Sequence, residues 1–130
     1  MPSIDIAIAI ILHPTDDSVL IAQRKPDVHL PNLWEFPGGK CIPGEPPQAA
    51  AVRESFEEVG LTVSPIEEWP TITHSYPDRT ITLHPFLCRA SSDAAEPLDN
   101  RQVIWVRRSK LNEYEFPAAN RSLIDRLANS

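Results

Sequence analysis

Three glutamates stand close together near the middle of the chain, at Glu54, Glu57 and Glu58. On a helix, residues at i, i+3 and i+4 share one side, so these three carboxylates would project together. They would repel one another by about 0.2–0.5 kcal/mol per pair, and no lysine lies between Gln48 and Leu61 to offset the repulsion. A hard divalent cation would offset it, because Mg²⁺ prefers carboxylate oxygens and commonly bridges to substrate phosphates. The cluster is therefore a candidate Mg²⁺ site, with Mn²⁺ as a substitute.

A helix with a signal at each end is expected to carry these glutamates. Pro46 and Pro47 suit a first helical turn, and Gly60 suits the position just after a helix. The helical period predicts a separate apolar stripe that packs inward, formed by Ala49, Val52, Phe56 and Val59. A solvated acidic face, in which Arg53 pairs with Glu57 at i+4, explains the carboxylates alone equally well.

The loop before the helix decides between these two interpretations. Gly38 and Gly39 allow a close backbone approach, and Glu45 and Arg53 follow at fixed spacings. With the helix they complete the pattern G-x5-E-x7-R-E-U-x-E-E-x-G-U, the Nudix box, and the sequence resembles the Nudix hydrolases. Ser55 stands where that family usually has an aliphatic residue. The matching residues are Gly39, Glu45, Arg53, Glu54, Glu57, Glu58, Gly60 and Leu61.

The rest of the chain is predicted to hold this loop and helix within a single domain, residues 1–130. A chain of 130 residues, 42% of them hydrophobic, is long enough for one domain with its own core. Mixed strands and helices predict an α/β fold with a central mixed sheet between helices, and the resemblance implies the Nudix α/β/α sandwich. The predicted strands are Ile4 to Leu12, Val19 to Arg24, a short one within 34–40, Thr71 to Tyr76, Arg79 to Arg89 and Gln102 to Arg107. The turn at Pro77-Asp78 is predicted to join the strands on either side of it into an antiparallel hairpin. Further helices are predicted over Lys110 to Tyr114, with Ser109 as N-cap, and from Pro117 to Leu127.

The charge balance limits the class of partner. A formal net charge of -6 argues against a nucleic-acid polymer, whose binding proteins usually present a basic stripe to the phosphates. A small anionic ligand is compatible with it, provided that a metal and local cations meet its charge. The candidate cations are Arg24, Lys25, Lys40 and Arg79.

The cysteines and the apolar N-terminal segment bear on location. Cys41 and Cys88 form neither a C-x-x-C pair nor a disulfide framework, so we expect a cytoplasmic protein with free thiols. The segment Ile4 to Leu12 is far shorter than the roughly 20 residues that span a bilayer, and it lacks the flanks of a signal peptide. We therefore expect no membrane association. We also expect a monomer rather than a dimer.

The resemblance covers nearly the whole chain and is to the MutT type, which removes oxidised guanine triphosphates from the nucleotide pool. Three segments outside the box carry it, LWEFPGGK at 33–40, YPDRTITL at 76–83 and FPAAN at 116–120. It implies Mg²⁺-dependent hydrolysis of 8-oxo-dGTP to 8-oxo-dGMP and pyrophosphate, which protects DNA replication from mutation.

The resemblance also implies roles for individual residues. The metal would be held by the helix glutamates, by the main-chain oxygen of Gly38 and by an acidic residue on a late loop, where Asp99 is the candidate. The family usually has glutamate there, and an ordinary turn-forming aspartate is the alternative. Substrate contacts would come from Arg79, Asn120 and Phe36. His29 lies in a loop that could fold over the substrate.

Asn120 is the residue expected to read the base. Oxidation at C8 turns guanine N7 from a hydrogen-bond acceptor into a donor while O6 stays an acceptor, so one amide can accept from the first and donate to the second. Unmodified guanine would leave the amide oxygen facing a lone pair, a mismatch that can discriminate by roughly 10⁴-fold. The alternatives are a helix-capping role for Asn120 and a solvated surface charge at Arg79.

In the expected mechanism, water attacks phosphorus in line. Glu54 takes the proton of the water, with Asp99 as second candidate, and Arg53 orients Glu57 or Glu45. Other substrates stay open: a CTP or dCTP derivative, ADP-ribose or a dinucleoside polyphosphate, since Trp34 before the Glu-Phe pair is also similar to cytidine-triphosphate relatives. A catalytically silent nucleotide-binding module is a further alternative.

Overall fold

A mixed β-sheet with a helix on each face forms the core of the molecule. The computed structural model describes residues 2–129. Its strands are β1 (Ser3–Leu12), β2 (Ser18–Gln23), β3 (Trp34–Glu35), β4 (Gly38–Lys40), β5 (Val63–Glu68), β6 (Ile72–Tyr76), β7 (Arg79–Ala90) and β8 (Gln102–Arg107). Its α-helices are α1 (Pro47–Val59) and α2 (Arg121–Ala128), and two 3-10 helices span Arg108–Glu113 and Ala118–Asn120. The predicted α/β fold with a central mixed sheet is confirmed.

β1 lies at the centre of the sheet. It runs parallel to β7 along its whole length, from Ser3 opposite Thr80 to Leu12 opposite Arg89. Its other edge is shared, because β4 pairs antiparallel with the first part of β1 and β2 pairs antiparallel with its end. β8 and β3 extend the sheet from β2, and β5 and β6 both pair antiparallel with β7. The glycines of β4 are thereby held directly against the central strand.

The side chains of β1 alternate between the two helical layers, as the two-residue period of a strand requires. Ala7, Ala9 and Ile11 belong to the core cluster that contains α1. Ile8, Ile10 and Leu12 belong to the cluster that contains Leu123, Ile124 and Leu127 of α2. The small alanines on the first face let α1 lie close to the sheet, and the larger residues on the other face fill the space below α2.

The inward face of α1 differs from the predicted stripe. Ala49 and Phe56 are exposed, Phe56 by 62%, and Val52 is only half-buried. The helix instead buries Ala50, Ala51, Ser55 and Val59. Ser55 can be fully buried because its hydroxyl donates to the Ala51 carbonyl at 2.8 Å, one turn back on the same helix. The predicted stripe was right for Val59, and Val52 packs against the same core cluster. It was wrong for Ala49 and Phe56, and it left this serine outside.

Three further elements differ from the sequence-based predictions. β5 was missed, since Pro65 and two glutamates lie within it, and it pairs only with β7 at the end of the main strand order. The segment after β8 is a 3-10 helix whose N-cap is Arg107, so Ser109 is not the cap. The last α-helix begins at Arg121 and is preceded by a 3-10 turn. The hairpin between β6 and β7 forms as predicted, with Tyr76 opposite Arg79.

The structure also bears on the thiols and on membrane association. Cys41 is half-buried, Cys88 is buried, and both are free. Within residues 2–129, no helix combines the length and the apolar character that a membrane crossing requires.

Candidate active site

Arg53 is the centre of the acidic cluster. Its guanidinium donates to both carboxylate oxygens of Glu45 at 2.8 and 3.0 Å, to Glu54 Oε1 at 3.0 Å and to Glu57 Oε2 at 2.9 Å. It also donates to the Lys40 carbonyl at 3.3 Å, which ties α1 to the end of β4. The hydrogen bonds from Arg53 are the main cause that lowers the pKa of Glu45. The expected orienting role of Arg53 therefore has geometric support, and it extends to Glu54.

Close approaches explain why β4 contains two glycines. A Cβ atom on Gly39 would lie 2.7 Å from the Glu54 carboxylate, so this carboxylate occupies the space above the strand. A Cβ atom on Gly38 would overlap the Ala7 carbonyl oxygen of β1. Glycine has no Cβ, and only glycine permits both approaches without a shift of the neighbours.

Glu58 is the most perturbed carboxyl group of the cluster. The Gly38 N–H donates to Glu58 Oε2 at 2.7 Å, which fixes the side chain below β4. Burial raises the pKa of Glu58 to about 8, and the negative charges of Glu54, Glu35 and Asp99 add to the rise, while the Gly38 hydrogen bond opposes it. Negative groups therefore converge here, and the electrostatics favour a cation beside Glu58.

The C-terminal end of α1 positions the late loop that carries Asp99. Gly60 ends the helix in the left-handed conformation, with φ of 71°. The Leu98 N–H donates to the Glu58 carbonyl at 3.1 Å, and the Glu96 N–H donates to the Val59 carbonyl at 2.9 Å. These bonds satisfy carbonyls that a helix end leaves free. They also bring Asp99 into the cleft that contains Glu58.

The cleft beside Glu58 has a volume of about 270 Å³. On its far side Arg24 donates to Glu35 Oε1 at 2.7 Å and to the His29 carbonyl at 2.8 Å. The side-chain amide of Asn100 donates to the other oxygen, Glu35 Oε2, at 3.0 Å. The lining residues are Arg24, Lys25, Val28, Glu35, Gly38, Glu58, Asp99 and Asn100.

A second cavity, of about 340 Å³, adjoins this cleft and shares Arg24, Glu35 and Gly38 with it. Lys40 lies outside both and lines a separate surface groove with Cys41. The structure thus brings together all but one of the predicted substrate residues, and those that line the second cavity are Arg24, His29, Phe36, Arg79 and Asn120.

Asn120 occupies the N-cap position of α2, yet its side chain makes no capping hydrogen bond. This observation removes the main support for the alternative that Asn120 is there to cap the helix. Arg79 lies at the start of β7, with its guanidinium 5.7 Å from the centre of the Tyr76 ring, and both residues line the cavity. Phe36 is buried against Phe116, with ring centroids 5.3 Å apart, and forms part of the apolar floor.

Sequence reasoning missed four polar residues of these two cavities. Glu35 could have been found, because it is an acid inside the LWEFPGGK segment that the resemblance already singled out. His74 and Tyr76 are two residues apart on β6 and therefore share one face of the predicted hairpin. Asn100 had no local signal, because only the docking of its loop onto α1 brings it to Glu35.

The candidate metal ligands are close together without forming a coordination sphere. Within residues 2–129, no three aspartate, glutamate, histidine or cysteine side chains converge at metal-binding distances. The physical reason is that Arg53 engages Glu54 and Glu57, while Glu58 accepts from Gly38. By type the donors fit a hard cation, since they are carboxylate oxygens and a main-chain carbonyl with no sulfur or imidazole.

Comparison with known proteins assigns the family. A family model for the NUDIX domain matches residues 7–126. An Escherichia coli (strain K12) protein named 8-oxo-dGTP diphosphatase is 35% identical over 127 residues, covering 98% of each chain. A CTP pyrophosphohydrolase of the same strain is 28% identical over 125 residues, covering 96% of this chain and 91% of the relative. A structure from work on MutT of Aliivibrio salmonicida and Vibrio cholerae has a TM-score of 0.82 at 28% identity, covering 98% of this chain and 97% of that one. The chain therefore belongs to the NUDIX domain family and is a Nudix hydrolase of the MutT type.

Proposed function

We propose that the protein hydrolyses 8-oxo-dGTP to 8-oxo-dGMP and pyrophosphate, and so removes an oxidised nucleotide before DNA replication. The observation that carries this proposal is the shared wall of the two cavities, formed by Arg24, Glu35 and Gly38. A nucleotide lying across that wall places its phosphates beside Glu58 and its base beside Asn120. The second cavity, of about 340 Å³, is within the range of small-molecule sites. The E. coli relative named 8-oxo-dGTP diphosphatase supports the choice of substrate.

Mg²⁺ is the metal that the donor set suits best. Glu54, Glu57, Glu58, Asp99 and the Gly38 carbonyl would hold it. When bound, it neutralises charge on the phosphate oxygens and orients the triphosphate for in-line attack. Mn²⁺ accepts the same oxygen ligands and would substitute for it.

Side chains of this protein accept the proton, orient the carboxylates and bind the substrate during the hydrolysis. Water attacks phosphorus, the bridging P–O bond between the α and β phosphates breaks, and the departing phosphate oxygen takes the electron pair. Glu54 accepts the proton of the water, with Asp99 as the second candidate. Arg53 keeps Glu54 and Glu57 oriented from behind, at 3.0 and 2.9 Å, without touching the substrate. Arg24 and Arg79 supply positive charge toward the phosphates and the nucleoside.

The reading of the base by Asn120 is testable through the preference between two nucleotides. We expect the wild type to favour 8-oxo-dGTP over dGTP by about 10⁴-fold in kcat/KM. Asn120→Ala should remove most of this preference, chiefly by slowing 8-oxo-dGTP hydrolysis. Asn129→Ala, at the other end of α2, is the matched control and should keep the preference. A full preference in Asn120→Ala would rule out this role.

The metal assignment has its own test. Glu57→Gln removes one charged ligand, so the Mg²⁺ concentration for half-maximal turnover should rise by about 10-fold or more. Glu68→Gln, an exposed acid on β5, serves as the control and should leave that concentration unchanged. Full turnover of Glu57→Gln at both limiting and saturating Mg²⁺ would show that Glu57 is not a ligand.

A second candidate substrate is CTP or a related cytidine triphosphate. The E. coli CTP pyrophosphohydrolase, which matches most of this chain, favours it, and the chemistry at the carboxylates would be the same. Activity with CTP that exceeds activity with 8-oxo-dGTP, together with an unaltered substrate preference in Asn120→Ala, would select this candidate. For either substrate we propose that the chain acts as one domain, as a cytoplasmic monomer without a nucleic-acid polymer as partner.

A further inference from the structure

Glu35 links two separate loops at the wall between the cavities. Its carboxylate accepts from Arg24 on one oxygen, at 2.7 Å, and from Asn100 on the other, at 3.0 Å. Arg24 follows β2 and in turn holds the loop at 25–33 through the His29 carbonyl. Asn100 stands next to Asp99 on the late loop. Glu35 of β3 thus contacts Arg24 on one side of the cleft and Asn100 on the other.

The environment of Glu35 favours an ordered contact. Its side chain is 24% exposed and that of Arg24 is 26% exposed, so both are largely shielded from water. The hydrogen bond between Arg24 and Glu35 joins two charged groups, so it is stronger than a neutral one. The carboxylate has only acceptors and its two partners are both donors, so each of its oxygens is matched.

We propose that Glu35 is a positioning residue, which sets Arg24 toward the substrate and, through Asn100, sets Asp99 toward Glu58. This inference rests on the proposed nucleotide hydrolysis and adds to it a residue that makes two parts of the site depend on each other. Arg24 governs substrate binding and Asp99 governs the metal side. A change at Glu35 therefore affects both, whereas a change at Asn100 affects the metal side alone.

Steady-state kinetics separates these effects. In Glu35→Gln an NH₂ group, which donates, replaces one of the two oxygens that accept from Arg24 and Asn100. The variant should therefore lower kcat/KM by about 10–100-fold, through a higher KM and a higher Mg²⁺ requirement together. Asn100→Ala should raise the Mg²⁺ requirement by about 3–10-fold and leave KM unchanged at saturating Mg²⁺. In the double variant the Asn100 change should add nothing to the Mg²⁺ effect of Glu35→Gln.

The control variant loosens the same two loops without touching Glu35. Asn32 lies in the first loop at φ of 63°, and its side-chain oxygen accepts from Arg101 of the late loop at 3.1 Å. Asn32→Gly keeps this backbone conformation accessible and removes the contact. It should leave kcat/KM within about twofold of wild type.

Hydrogen exchange of the metal-free protein gives a readout that does not depend on activity. Glu35→Gln should speed amide exchange in both 25–33 and 98–101, and Asn100→Ala should speed it only in 98–101. If the wild type hydrolyses no nucleoside triphosphate, the proposed function fails while the exchange data still test the contact. Unchanged exchange in Glu35→Gln would overturn the positioning role. So would independent effects in the double variant, or an Asn32→Gly variant as impaired as Glu35→Gln.

Discussion

Among the individual residues, one arginine and one half-buried glutamate define the acidic site. Arg53 holds three carboxylates in fixed directions, and the planar fork of a guanidinium is suited to this because it presents several donors at once. Glu58 is different, since it is half-buried and has the negative charges of Glu54, Glu35 and Asp99 around it rather than a cation. The first residue orders the proposed metal ligands, and the second supplies the place where a positive charge would be most stabilised.

Arg53→Lys should reduce kcat/KM by about 100-fold or more while the protein still folds. A lysine has a single ammonium, which cannot bond Glu45 with two parallel contacts and reach Glu54 and Glu57 as well. Kinetics with 8-oxo-dGTP and a thermal melt measure the two properties. Arg126→Lys, which alters an exposed arginine paired with Glu67, is the control. Activity of Arg53→Lys within twofold of wild type would contradict the assigned role.

Glu58 should make the stability of the metal-free protein depend on pH. Burial and its acidic neighbours raise the pKa of Glu58 from 4.5 to about 8. Between these values the folded state keeps a proton that the unfolded chain has lost, so the free energy of unfolding falls as pH rises, by up to about 1.4 kcal/mol per pH unit. Urea unfolding in EDTA measures this slope.

Glu58→Gln should flatten the slope, since its amide does not titrate, and Glu68→Gln should retain it. An identical pH dependence in wild type and Glu58→Gln would show that Glu58 is not the group responsible.

For the helices and strands, local signals in the sequence predicted where elements begin and end, whereas tertiary contacts decided which face is buried and which strands pair. The bounds of α1 followed from Pro46 and Gly60, because helix ends are local features of the chain. Its buried face did not follow from polarity, since Ser55 satisfies its hydroxyl inside the helix and takes an apolar place. β5 was missed because Pro65 and the charged residues are tolerated where that strand pairs with β7 alone.

The two glycines of β4 should respond differently to alanine. Gly38→Ala places a Cβ against the rigid Ala7 carbonyl of β1, so we expect a loss of about 2–4 kcal/mol in the free energy of unfolding. Gly39→Ala meets only the end of the Glu54 side chain, so stability should fall by about 1 kcal/mol or less while kcat falls by about 10-fold or more. Urea denaturation and kinetics on both variants test this contrast. A larger stability loss for Gly39→Ala than for Gly38→Ala would refute it.

At the scale of the whole molecule, the site is assembled from parts that are far apart in the chain. The acidic cluster could be predicted because its residues lie within one helix and the loop before it. The approach of the late loop and of Asn120 to this cluster could not, since it depends on the docking of the late loop onto α1 and on the position of Asn120 at the start of α2. Spacing along a sequence carries no information about such long-range contacts. A resemblance to a family does, which is how Asn120 and Asp99 were predicted to belong to the site.

The net charge of -6 predicts how the whole protein behaves toward polyanions. Its 12 lysines and arginines are outnumbered by 18 aspartates and glutamates, and Arg53, Arg108 and Arg126 are each paired with an acid. We therefore expect no basic surface that releases counterions from DNA. Fluorescence anisotropy of a labelled duplex should stay constant on titration, even at low salt, while the protein still turns over the free nucleotide. Salt-dependent binding of the duplex would contradict this expectation.

Hydrolysis by the wild-type enzyme is the measurement that identifies the substrate. Steady-state kcat/KM should be measured with Mg²⁺ for 8-oxo-dGTP, dGTP, CTP and ADP-ribose, with pyrophosphate and orthophosphate separated among the products. We predict a kcat/KM for 8-oxo-dGTP far above those for the other three, with pyrophosphate as the released product. Activity confined to another nucleotide, or release of orthophosphate, would rule out hydrolysis of 8-oxo-dGTP to 8-oxo-dGMP and pyrophosphate as the function.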